Sequence, residues 1–151
     1  MKKKFLVLTV FLVIALLATA LFACAGDVDE NGSMTLVVKD EDNIEEYTVD
    51  LSKLSTDDSK TGLMKVLDYL QEQGKITYTA QNGEYLTQVN SIKEGNGIYL
   101  YLYTDVEDDF DTSEYQTTLD YKDKTLTNSG VGASLMNIKD GCTILITTIT
   151  F

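Results

Sequence analysis

The segment GIYLYLYT, residues 97–104, alternates without a break. Ile98, Leu100 and Leu102 share one parity; Tyr99, Tyr101 and Tyr103 share the other. Period two is the mark of a strand whose faces meet different surroundings. The aliphatic face must be covered, and one segment fits that task. In LMKVLDYLQEQG, residues 63–74, Leu63, Val66, Leu67 and Leu70 recur at i, i+3, i+4 and i+7, a single helical stripe. Ser59 or Thr61 is expected to cap its start, and Gly74 stands where a left-handed C-cap belongs.

The remaining elements read as strands. MTLVVKD and EEYTVDL flank the acidic EDN turn and predict a hairpin. ITYTA and EYLTQVNSI flank the Asn82–Gly83 turn, YQTTLDYKDKTLT predicts a hairpin with Asp123 near its tip, and CTILITTITF predicts the closing strand. One helix among seven or eight strands defines an α+β fold, with an amphipathic helix packed on a mixed or antiparallel sheet. No repeat and no second composition regime divides it, so residues 34–151 are expected to form one domain.

Residues 1–23 have a basic start, MKKK, and a long apolar run ending in LFA before Cys24. This is the layout of a secretory signal. Its end resembles the lipobox of bacterial lipoproteins, with Phe22 bulkier than that motif usually carries. The resemblance implies cleavage before Cys24 and lipid on its thiol and new amino terminus. The alternative is an uncleaved signal anchor. Both place the rest outside the cytoplasm, tethered to a membrane. Residues 24–33, CAGDVDENGS, read as the lipidated Cys and a flexible acidic linker.

Three of the 12 lysines lie in the leader, leaving nine against 24 acids, a net charge of −15, and the chain has no arginine. Such a surface repels nucleic acid and anionic headgroups, so neither is an expected partner. Histidine is absent, which removes the commonest general base and imidazole ligand. No phosphate loop, nucleophile elbow or paired-cysteine motif occurs. The expectation is a binding protein, not an enzyme, with no resident metal.

Two acidic stretches partly match a calcium loop. Asp105, Glu107 and Asp109 put Phe110 where an EF-hand loop needs glycine; Asp27, Asp29, Asn31 and Gly32 put Val38 where the bidentate Glu belongs. Both read as solvated loops. Adjacent Asp108 and Asp109 face opposite ways in a strand, with nothing apolar nearby to raise a carboxyl. Cys142, beside an apolar strand, reads as a small buried hydrophobe. Tyr99, Tyr101 and Tyr103 are the candidate ligand-binding residues. Either a flat or sugar-like ligand lies on this row, or a neighbouring hairpin covers it.

Four pieces in order, TGLMKVLDYL, NGEYLTQVNSI, YLYLYTD and NIKDGCTILI, resemble the transcobalamin-like C-terminal domain family, known from cobalamin carriers and bacterial surface lipoproteins. The similarity covers residues 34–151. It implies a β-grasp-like fold and a cobalamin or other corrinoid as ligand. Two departures stand out: the aromatic strand has no Trp, and the helical barrel that completes the carriers is missing. The expected role is a lipid-anchored, extracytoplasmic protein that captures a small ligand for hand-over to a transporter. Loops 91–97 and 128–134 would be its rims. The rival is a structural or adhesive surface module docking protein partners, with weak calcium binding in its acidic loops.

Overall fold

The structure is a computed structural model and describes residues 26–57 and 59–150. The leader and Cys24 lie outside the described residues. Among the described residues the fold is α+β, with one α-helix and strands in two sheets.

The predicted first hairpin is β1 (Ser33–Asp40) and β2 (Asn43–Asp50), turning at Glu41 and Asp42. The helix, α1, runs Leu63–Glu72, followed by β3 (Tyr78–Gln81), β4 (Tyr85–Val89) and the short β5 (Ile92–Lys93). The alternating segment is β6 (Ile98–Thr104). The hairpin β7 (Thr118–Tyr121) and β8 (Lys124–Asn128) precedes the last strand, β9 (Thr143–Thr150). One sheet has the order β2-β1-β9-β6-β8-β7, with β1 and β9 parallel and the other pairs antiparallel. β3, β4 and β5 form a second antiparallel sheet.

The helical stripe is where the periodicity put it. Leu63, Val66, Leu67 and Leu70 are fully buried, sharing a core with Leu36 and Val38 of β1 and Ile144 and Ile146 of β9. Each such side chain stabilises the fold by about 1.5–3 kcal/mol relative to leaving it exposed. Leu86, Val89 and Ile92 bring the small sheet into the same core. The helix end also follows expectation. Gly74, at φ +65°, lets Lys75 N–H reach Leu70 O at 2.9 Å, and its own N–H reaches Gln71 O at 2.9 Å.

The helix start differs. Gly62 holds the N-cap position without a side-chain hydrogen bond, and Thr61 Oγ1 instead donates to Ser134 O at 2.8 Å. Gly62 has φ +55°, and a Cβ there would sit 2.7–2.8 Å from the carbonyl oxygens of Met136, Ala133 and Ser134. Close approach of segment 133–136 decides this turn; a capping hydroxyl does not.

The linker expectation is also corrected from Gly26 onward. Asp29 N–H donates to Ile138 O at 2.8 Å and Ile138 N–H to Asp27 O at 2.7 Å, a parallel bridge that pins Asp27–Asp29 to segment 134–140. Lys139 adds an ion pair to Asp27 at 3.2 Å, and Asp140 N–H donates to Asp29 Oδ2 at 2.7 Å. These acids are committed to backbone and lysine partners, which a flexible tether would not offer.

Candidate functional site

β6 pairs with β9 along its whole length, from Ile98↔Thr150 to Thr104↔Ile144. On its other side, β8 meets it only at Tyr103 and Thr104. Leu100 and Leu102 pack toward the helix-side core as the alternation demands, but Ile98 is exposed.

The tyrosines do not form one open row. Tyr103 is only 7% exposed and belongs to a second core with Val37, Leu126 and Leu145, on the sheet face away from the helix. The β7–β8 hairpin covers it, with Leu119 and Tyr121 packed alongside. Tyr121 Oη and Lys122 Nζ both donate to Glu46 Oε2 at 2.5 Å, fastening that hairpin to β2. Tyr101 is half-buried: its ring meets Tyr103 edge-on at 5.5 Å, and its hydroxyl accepts from Asn128 Nδ2 at 3.0 Å. Tyr99 is 46% exposed. Of the two alternatives for this row, the covering hairpin holds at Tyr103 and the open face fails there, because an apolar hairpin gains more by covering the sheet than by leaving it wet.

Beside the free stretch of β6 lies a cleft of about 230 Å³. Leu86, Leu100, Leu102 and Val131 supply its apolar lining, and Tyr85, Tyr101, Glu84 and Glu94 its polar groups. Glu94 comes from the first predicted rim loop and Ser129, Val131, Gly132 and Ala133 from the second, so the structure brings both loops to one place. Glu94 also borders a shallower concavity with Gly95–Tyr99. Its Oε1 accepts Tyr85 Oη at 2.9 Å and Leu100 N–H at 3.2 Å. That carboxylate raises the Tyr85 hydroxyl's pKa, with burial adding to it. Sequence reading missed Tyr85 and Glu94 as site residues. Glu94 lay inside a named rim, whereas only the β4–β6 packing reveals Tyr85.

The acidic loop after β6 is used internally. Asp105 accepts Lys124 Nζ at 2.6 Å and Thr143 N–H at 2.8 Å. Asp111 accepts from Ser113 N–H and Asn128 Nδ2 and titrates below the usual carboxylate value, chiefly through Ser113. Asp109 is the exception to a solvated loop. It is 1% exposed and accepts Asn137 N–H at 2.8 Å and Asn137 Nδ2 at 2.6 Å. Burial raises its pKa, with the Asn137 donors opposing, so the expectation of no apolar shelter near Asp108 and Asp109 is corrected. Among the described residues no three carboxylate or thiol groups converge on one point. Cys142 is buried, and that burial pushes its thiol up to about 11, far from a reactive thiolate.

The chain matches no protein-family model and no curated protein.

Proposed function

We propose that this chain is a lipid-anchored extracytoplasmic protein whose domain captures a small ligand, a corrinoid first among the candidates. The cleft beside β6 carries the reading. It joins an apolar lining to convergent phenol and carboxylate groups between two loops, the usual composition of a small-molecule site. Its 230 Å³ falls below the roughly 300–1,000 Å³ of pockets that enclose a ligand. A large flat molecule would therefore seat one edge here and lay a face against exposed Tyr99. Tyr101 would position the ligand from the cleft wall, and Tyr103 would support that wall from beneath.

The β-grasp-like resemblance supports the corrinoid choice. The arrangement β2-β1-β9-β6, with a parallel central pair and one helix on the sheet, is compatible with it. Lipid at Cys24 would confine the domain beside its transporter and raise the effective concentration for hand-over.

The test is calorimetric titration of the processed chain, residues 24–151 in detergent, with cobalamin and separately with calcium, together with thermal midpoints. Saturable cobalamin binding that Tyr99→Ala weakens at least tenfold is the expected result. A midpoint rise with calcium alone would replace capture by the structural or adhesive module. No response to either ligand would remove the corrinoid.

A further inference from the structure

β2 forms one edge of the six-stranded sheet, and its eight residues pair with β1 throughout, with no register shift. Successive residues of a strand turn their main-chain groups to alternate sides. Thr35 N–H donates to Cys142 O at 2.9 Å, so the odd-numbered residues of β1 face β9. Opposite them, Ile44, Glu46 and Thr48 turn N–H and C=O away from β1, and among the described residues these groups meet no protein partner. The other sheet edges are shielded by their shape. β7 and β3 have four residues each and β5 has two, and β3 carries a bulge at Thr79–Ala80. β2 is long and regular, and the packing of Tyr47 and Val49 on the first core holds it in place. Its guard is charge: residues 40–50 hold six acids and no lysine.

We propose that this edge accepts an extended, lysine-bearing segment of a partner protein as a seventh, antiparallel strand. This goes beyond the small-ligand reading and does not depend on it. Alternate N–H and C=O groups of the segment pair with Ile44, Glu46 and Thr48. The acids choose the occupant. A second copy would set one acidic strand against another, and like charges across a ladder oppose pairing. A lysine opposite Glu45 instead meets a carboxylate at cross-strand distance, whereas Glu46 is already shared by Tyr121 and Lys122. Ile44, 49% exposed, gives the segment an apolar contact at the turn end of β2.

The probe is acetyl-Thr-Val-Thr-Lys-Ile-Lys-amide, which sets its first lysine opposite Glu45 and its isoleucine opposite Ile44. Binding is followed by amide shifts and hydrogen exchange of the processed chain in detergent. Saturable binding with slowed exchange at Ile44, Glu46 and Thr48 is expected. N-methylation of the second threonine, whose N–H meets Glu46 C=O, should weaken binding at least tenfold. N-methylation of the first lysine, whose N–H points to solvent, should change it by less than about threefold. Replacing both lysines by glutamate should cost at least tenfold. In the protein, Thr48→Pro removes one outward donor at an edge position that tolerates proline, and should weaken binding similarly. Equal affinity for the peptides, unchanged exchange at the three amides on saturation, or no binding at millimolar peptide would each overturn the proposal. So would protection of those amides that grows with protein concentration in the absence of peptide, which would give the edge to a second copy.

Discussion

Asp109 and Asn137 are joined twice, through Asn137 N–H to Oδ2 at 2.8 Å and Asn137 Nδ2 to Oδ1 at 2.6 Å. Asp109 O also accepts Gly130 N–H at 2.8 Å, so one residue ties the acidic loop, the cleft's second rim and segment 134–140 together. Asp109→Ala leaves both Asn137 donors without their partner and should cost about 1–3 kcal/mol. The pH dependence has a defined sign. A carboxyl whose pKa burial raises holds its proton more tightly folded than unfolded. Its contribution is fullest below the unfolded value and is lost as pH climbs through the raised folded one. The stability gap between wild type and Asp109→Ala should therefore narrow with rising pH from about 3 upward. Urea titrations across that window would reject the burial argument if the gap widened.

Gly62 meets three carbonyl oxygens closer than a Cβ tolerates, at a positive φ. Gly62→Ala combines backbone strain with overpacking, for a loss of about 2–5 kcal/mol. A denaturation midpoint close to wild type would mean that segment 133–136 yields easily, contrary to its packing.

Tyr103 and Tyr99 separate stability from binding. Tyr103→Ala empties the second core and should cost about 3–5 kcal/mol. Tyr99→Ala removes an exposed ring and should change stability by no more than about 0.5 kcal/mol. Equal losses in chemical denaturation would contradict the division of the tyrosine row.

Cys24→Ala tests the anchor. The protein should move from the membrane to the soluble fraction, and a lipid label should disappear from it. Unchanged fractionation would point to the leader itself as the attachment.

The helix was legible because its stripe has only one way to face a sheet, and every predicted stripe residue is fully buried. Most strands were legible for the same periodic reason, but EYLTQVNSI, read as one strand, turns at Asn90 (φ +48°) into β4 and β5. The cover over Tyr103 was one of two alternatives for the row, and a signal that favours it was present. Leu36–Val38 and Ile144–Ile146 are apolar at consecutive positions, as central strands buried on both faces must be. Alternation in β6 implies two unequal faces, whereas its neighbours mark the Tyr103 end as dry on both. The bond from Asp109 to Asn137 and the bridge from Val28 to Ile138 leave no periodic trace, since each depends on backbone groups brought together over long separations. The cleft was half legible: its rim loops were named, but Tyr85 enters only because the small sheet packs beside β6.

Docking of Asp27–Asp29 onto Ile138 has a geometric consequence for a protein attached at Cys24. Only Ala25 separates that cysteine from Gly26, a leash of about 7 Å when fully stretched. With lipid on that cysteine, a body held this closely could not tumble freely above its anchor, and the same flank would always be turned to the bilayer. The height and bearing of the β6 opening would then be dictated by rigid architecture, and lengthening the leash with inserted glycines would let the opening wander.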